Sequence, residues 1–181
     1  MDKTDKELIL LAKDGDSQAF GFLIDRYEDK ISRYARKFLS NTHDIQDIVQ
    51  EVFIKAYINI QSFNEEESFS PWVYRIAHNE FINALKKKKR EPLSFFDADT
   101  LFPHPVSLQN ADDSLNERES KEMVDKFLDQ VSVKYKEPLV LYYFENLSYQ
   151  EISQILKIPI STVGVRLQRA KKMIKKIYER E

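Results

Sequence analysis

The sequence predicts an all-α protein: two small helical domains joined by an acidic flexible linker, the second ending in a helix-turn-helix. Three observations carry that expectation. Apolar residues recur at helical steps from Phe20 to Leu85, and no stretch keeps up the alternation a half-buried sheet would need. The recurrence stops between Glu91 and about Asn116, where Pro92, Pro103 and Pro105 fall among acidic residues. It resumes at Met123 and closes with two helical segments parted by Pro159.

Composition narrows the function. The chain has 181 residues, 28 Lys+Arg and 30 Asp+Glu, for a net charge of −2, and 42% hydrophobic residues. That balance is globular, and the length suits one domain or two small ones at roughly 150 residues each. No apolar run approaches the ~18 residues of a membrane span. The acidic, short-cored N-terminus does not read as a signal peptide. Having no cysteine excludes disulfides, thiolate nucleophiles and cysteine zinc sites, and fits a cytoplasmic protein. With Gly 3, phosphate-cradling loops are disfavoured.

The charges are unevenly spread. Met1 to Glu91 carries 15 basic and 16 acidic residues, Pro92 to Ser120 carries 1 and 6, and Lys121 to Glu181 carries 12 and 8. Two basic clusters stand out, Lys86 to Arg90 and Arg166 to Lys176. Such asymmetry points toward nucleic acid.

The first helical stripe runs Phe20, Leu23, Ile24, Tyr27, Ile31, Tyr34, Ala35 and Phe38, after a break at Asp14-Gly15-Asp16. The second runs Ile45, Ile48, Val49, Val52, Phe53, Ala56, Tyr57 and Ile60. The third runs Phe69, Trp72, Val73, Ile76, Ala77, Phe81, Ala84 and Leu85, with Pro71 in the first turn, where a missing N–H is tolerated. Beyond the linker, Met123, Val124, Phe127, Leu128 and Val131 resume the pattern, and Leu139 to Phe144 is nearly all apolar.

Ser148-Tyr149-Gln150-Glu151 matches a capping box for a helix burying Ile152, Ile155 and Leu156. Pro159 stops it, and Ser161 or Thr162 can cap the next. That next helix buries Val163, Leu167, Ala170 and Ile174. Its other faces carry Thr162, Gly164, Val165, Arg166, Gln168, Arg169, Lys171 and Lys172. A short helix, a tight turn and a second helix with a basic, hydrogen-bonding surface is the helix-turn-helix pattern. Arg and Gln there can contact base edges, and the lysines suit phosphates. The competing reading is a solvated helix with a basic end.

The segments D-I-V-Q-E-V-F-I-K-A-Y (Asp47 to Tyr57), W-V-Y-R-I-A-H-N (Trp72 to Asn79) and the terminal helix-turn-helix stand in an order that resembles bacterial RNA polymerase sigma factors of the extracytoplasmic-function (ECF) group. The resemblance implies a region 2 domain over residues 1–91, a linker over 92–119 and a region 4 domain over 120–181. It implies a non-enzymatic initiation factor with no cofactor and no metal. The implied partners are core RNA polymerase (through its β-prime clamp coiled-coil and β flap), promoter DNA and an anti-sigma protein, with no membrane insertion.

Residue by residue, the resemblance places Asp47, Gln50, Glu51 and Ile54 against core polymerase. It places Phe63, Asn64, Tyr74, Arg75, Asn79, Lys86, Lys87, Lys88, Lys89 and Arg90 on the −10 element, where a base is extruded and captured. Ser161, Thr162, Val165, Arg166, Gln168, Arg169 and Lys172 fall to the −35 element. Trp72 lies on the apolar stripe and reads as core.

The linker's 28 residues reach roughly 90 Å at ~3.3 Å each. Promoter elements two and a half turns apart are separated by roughly 85 Å. Two departures from the family are visible. Gly164 stands where relatives often carry a basic residue, costs about 1 kcal/mol of helix propensity, and either lets DNA closer or removes a contact. Glu65-Glu66-Glu67 makes the base-capture loop acidic. The rival functions are a stand-alone helix-turn-helix regulator binding operator DNA, and a metal-dependent nucleic-acid enzyme using the acids at 44, 47 and 51.

Overall fold

The computed structural model describes residues 3–90 and 123–179, and within the last turn before residue 90 only the backbone of 88–90. Every regular element among them is helical. The linker predicted over 92–119 lies outside the described residues.

Helix α1 (Asp5–Lys13) opens the chain. Thr4 and Glu7 form its capping box, and it buries Leu8, Ile9 and Ala12. The sequence analysis assigns no helix here, although Thr4-Asp5-Lys6-Glu7 carries the same capping-box signal as Ser148 to Glu151. Gly15, at φ 97°, turns the chain into α2 (Ser17–Arg36), which Asp16 caps. Asn41 caps α3 (Thr42–Asn59), and a 3-10 turn over Ile60–Ser62 leads to the loop before α4 (Phe69–Arg90).

The second half has helical residues 123–129 (α5), then α6 (Val133–Tyr143), α7 (Tyr149–Leu156) and α8 (Ile160–Tyr178). The Ser148–Glu151 capping box forms as expected. Lys157, at φ 51°, ends α7 in the left-handed region and sets the turn. Helix α8 differs at its start. Its N-cap is Pro159, with no side-chain cap hydrogen bond. Ser161 and Thr162 therefore sit inside the first turn and do not cap it.

The two halves share one core. Helix α4 packs on α3 along one face and on α7 along another, while α8 packs on α6 and α7. Tyr34 is fully buried at the junction, with edge-on or tilted contacts to Phe38, Tyr74 and Phe81 at ring separations of 5.4, 5.5 and 5.0 Å. Such pairs contribute about 0.5–1.5 kcal/mol each beyond area burial.

Candidate nucleic-acid interface

Three surfaces carry the residues singled out in the sequence. On α3, Asp47, Gln50, Glu51 and Ile54 are all exposed. Ile54 is 52% and Ile58 69% exposed, beside a shallow cavity of about 390 Å³ lined also by Phe20, Phe53 and Tyr57. An apolar floor with an acidic rim is what a docking face needs. Glu51 is not free of local ties: Lys55 bridges it at 3.2 Å and reaches Glu80 of α4 at 2.8 Å. The Glu80 hydrogen bond, ahead of the Glu51 one, holds the Lys55 ammonium above its usual pKa.

The second surface is the loop before α4 with the outer face of that helix. Phe63 is only 4% exposed and sits edge-on to Trp72 and Phe69 at 5.0 and 6.1 Å. It is a core residue here, and its ring faces are not open to a base. The reason is the turn Ile60–Ser62, which folds the ring inward against α4. Trp72 is half-buried in the same aromatic cluster. Asn64 is exposed, and its side-chain carbonyl accepts from the Glu66 amide at 3.1 Å.

The acidic loop is tied down through α1. The Lys13 ammonium donates to the Phe63 carbonyl at 2.8 Å and to Glu65 at 2.9 Å, and the Gln61 amide donates to the Lys13 carbonyl at 2.7 Å. Lys13 keeps the Glu65 carboxyl below its usual pKa, chiefly by the hydrogen bond. Glu65 is thus paired with Lys13, and Glu67 makes a longer ion pair with Arg75 at 3.9 Å. Between α1, α2 and this loop is a cavity of about 520 Å³. Asp5 stands at its edge, accepting from Arg26 and, at 2.5 Å, from the Tyr27 hydroxyl. Burial first, then Asp5, pushes the Tyr27 phenol well up.

Arg75, Asn79 and Lys86 follow one another at helical spacing on α4, Arg75 half-buried and the other two exposed; Lys87 is exposed beside them. The side chains of Lys88, Lys89 and Arg90 lie outside the described residues. Tyr74 departs from expectation. It is 1% exposed, and its hydroxyl donates to Glu145 of the second half at 2.5 Å. The periodicity of α4 counts one buried stripe, but a second face is covered from afar, and Tyr74 lies on it. Its phenol is pushed far up, by burial first and then by Glu145.

The third surface is α8. Ser161, Val165, Gln168 and Lys172 line its outer face, opposite buried Val163, Leu167 and Ala170. Arg169 is exposed beside them, with one guanidinium nitrogen 3.4 Å from the Tyr135 hydroxyl. Thr162 and Arg166 are half-buried on the flank, and Arg166 Nε is buried without a hydrogen-bond partner. Arg166 therefore belongs to the margin of the helix, not its outer face. A Cβ on Gly164 would lie 3.6 Å from Tyr149 Cε2. That is ordinary van der Waals contact, so a methyl group fits there. Among the described residues no group of three or more His, Asp or Glu is placed to hold a metal, and no helix is long and apolar enough to cross a membrane.

Two family models match the chain. Sigma-70 region 2 matches residues 23–91, and Sigma-70, region 4 matches residues 121–174. The ECF RNA polymerase sigma factor SigW of Bacillus subtilis is 35% identical over 94% of this chain and 95% of its own length. An ECF RNA polymerase sigma-E factor of Haemophilus influenzae is also 35% identical, over 94% of this chain and 93% of its own. Among solved structures, CnrH in complex with the cytosolic domain of CnrY superposes with a TM-score of 0.75 at 22% identity, covering 99% of both chains. The sigma factor RpoE in complex with the anti-sigma factor NepR from Bartonella quintana gives 0.72 at 22% identity, covering 88% of this chain and 96% of that one. At that identity the two superpositions speak to fold alone.

Proposed function

The chain belongs to the ECF group of bacterial RNA polymerase sigma factors, which direct core polymerase to promoters, and on that premise we propose how its surfaces divide the work. Residues 1–91 form the region that grips core polymerase and the −10 element, 92–119 the tether, and 120–181 the −35 reader. The exposed α3 face of Asp47, Gln50, Glu51 and Ile54 docks on the β-prime clamp coiled-coil, with the apolar groove at Tyr57 and Ile58 beside it. Asn64, Arg75, Asn79 and the Lys86–Arg90 run meet −10 DNA. The last of these meets phosphates and gives binding its salt dependence. Ser161, Val165, Gln168, Arg169 and Lys172 read or ride the −35 duplex, with Thr162 and Arg166 at its edge.

Opening the −10 region needs no nucleotide hydrolysis in this reading. Extruding a base costs a few kcal/mol, and binding it offsets that cost. The protein works where core polymerase works, in the cytoplasm. An anti-sigma protein covering the same faces is a further expected partner, as RpoE of Bartonella quintana has in NepR.

The observation that carries this reading is the outer face of α8, polar and solvent-facing at Ser161, Gln168 and Lys172 and braced from behind by Val163, Leu167 and Ala170. Run-off transcription with core polymerase on a promoter library tests it. Start-site selection should appear only when the protein is added. Binding to palindromic operator DNA without any effect on polymerase would transfer the chain to the regulator class.

A further inference from the structure

The acidic loop before α4 is held at more points than a short connection needs. The Ser62 hydroxyl donates to the Asn59 carbonyl at 2.8 Å, which fixes its start. Its middle is a turn in which the Asn64 backbone carbonyl accepts from the Glu67 amide at 2.9 Å and the Asn64 side chain accepts from the Glu66 amide. Phe63 anchors it inward against Phe69 and Trp72. One side chain from α1 then grips the loop on both sides of Asn64. The Lys13 ammonium donates to the Phe63 carbonyl and to Glu65, while the Lys13 carbonyl accepts from Gln61. The Lys13 side chain is 16% exposed and that of Glu65 40%. The cation is thus committed inside the protein and not offered to a phosphate. Asn64 itself stays exposed.

We propose that Lys13 is the positioning residue of this loop: through the Phe63 carbonyl and Glu65 it fixes Asn64 where an extruded −10 base is captured. This rests on the assignment of the loop to the −10 strand and deepens it. A loop set before the base arrives spares the capture step the entropy of ordering the backbone, so binding the base has only its extrusion to offset. The pairing also gives the acidic run a role. A lone carboxylate beside a DNA strand repels it. A carboxylate paired with a sunken lysine orders the backbone around Asn64 instead. Glu65 is ionised for that pairing, since the Lys13 hydrogen bond keeps its carboxyl below the usual pKa.

The test uses the full chain with core polymerase, and a fluorescent base analogue in the −10 element to follow opening. The packing of α1 rests on Leu8, Ile9 and Ala12, so Lys13→Met keeps the fold, which a thermal melt checks. Lys13→Met should slow opening about tenfold, the size of one lost charge-assisted hydrogen bond, and leave the salt slope of promoter binding unchanged. Lys13→Arg should restore the rate. Glu65→Ala should slow opening as well, and the double variant should be no slower than Lys13→Met. Single strands of the −10 element carrying an abasic site at each position in turn give the sharper reading. Lys13→Met should bind the intact strand more weakly than the wild-type sequence does, and that gap should close at one abasic position and persist at the others. The proposal fails if Glu65→Ala speeds opening, because the acid then only repels DNA. It fails if Lys13→Met lowers the salt slope, because the lysine then meets a phosphate, or if the gap persists at every abasic position. In the free chain, amide hydrogen exchange at residues 64–67 should quicken in Lys13→Met and Glu65→Ala, and unchanged exchange in both would also overturn it. A wild-type protein that opens no promoter, with the exchange response intact, would sink the −10 assignment and leave Lys13 as the brace of the loop.

Discussion

Helices α4 and α8 both carry residues assigned to DNA, yet they present them differently. On α8 the assigned face points to solvent, because its neighbours α6 and α7 lie behind it. On α4 one assigned residue, Tyr74, is buried under the other half of the molecule, while Arg75 and Asn79 stay accessible. The difference teaches that a reading face set by a local motif is displayed as the motif dictates. A face on a long helix also answers to whatever packs there from elsewhere in the chain.

The comparison can be broken most forcefully at the brace behind α8. Leu167→Ala, at a site 2% exposed, should destabilise the fold by about 2–5 kcal/mol in denaturant unfolding and abolish −35 binding. At the junction, Tyr34→Phe leaves the buried Glu137 short of a donor and should cost about 1–3 kcal/mol. A loss of stability with unchanged −35 binding would separate the two regions cleanly.

On the exposed face, Gln168→Ala should cost about 1–3 kcal/mol against the preferred −35 sequence in a binding titration. Lys172→Ala should weaken all sequences alike and lower the salt slope by about one. Gly164→Ala fits beside Tyr149 and should stabilise α8 by up to about 1 kcal/mol.

The smallest effect is expected at the −10 loop. The Glu65 carboxyl has its pKa depressed from 4.5 by Lys13. A depressed folded-state value means that the tie is fully present above about that pH and is lost as pH falls through the lower folded value. Amide chemical shifts of residues 63–67 should move in that acid range, and Lys13→Met should carry the Glu65 transition up toward 4.5.

Much of the candidate site was readable from the chain. The Ser148 capping box, the Pro159 stop and the four-and-three spacing of Val163, Leu167 and Ala170 are local signals, and they place α8 and its outer face correctly to within two residues. The exposed acids of α3 follow from the same arithmetic. The structure places three of the assigned residues otherwise than the sequence expects. Phe63 turned inward because a 3-10 turn precedes it. Tyr74 was covered by a distant segment. Arg166 fell on the flank of α8, not on its exposed side. Helix α1, which ties down the −10 loop through Lys13, is marked in the sequence only by the Thr4–Glu7 capping box, a signal the reading above does not use.

By itself, then, the amino-acid sequence determined the helices from α2 onward, the Ser148 capping box and the helix-turn-helix, because each depends on residues a few positions apart. Only the tertiary structure decided that the halves close on one another and that Glu137 and Glu145 stand among the donors of the first half. Tyr34 and Glu137 are 103 residues apart. Their meeting is fixed by how whole helices pack, a geometry that no short window of the chain encodes.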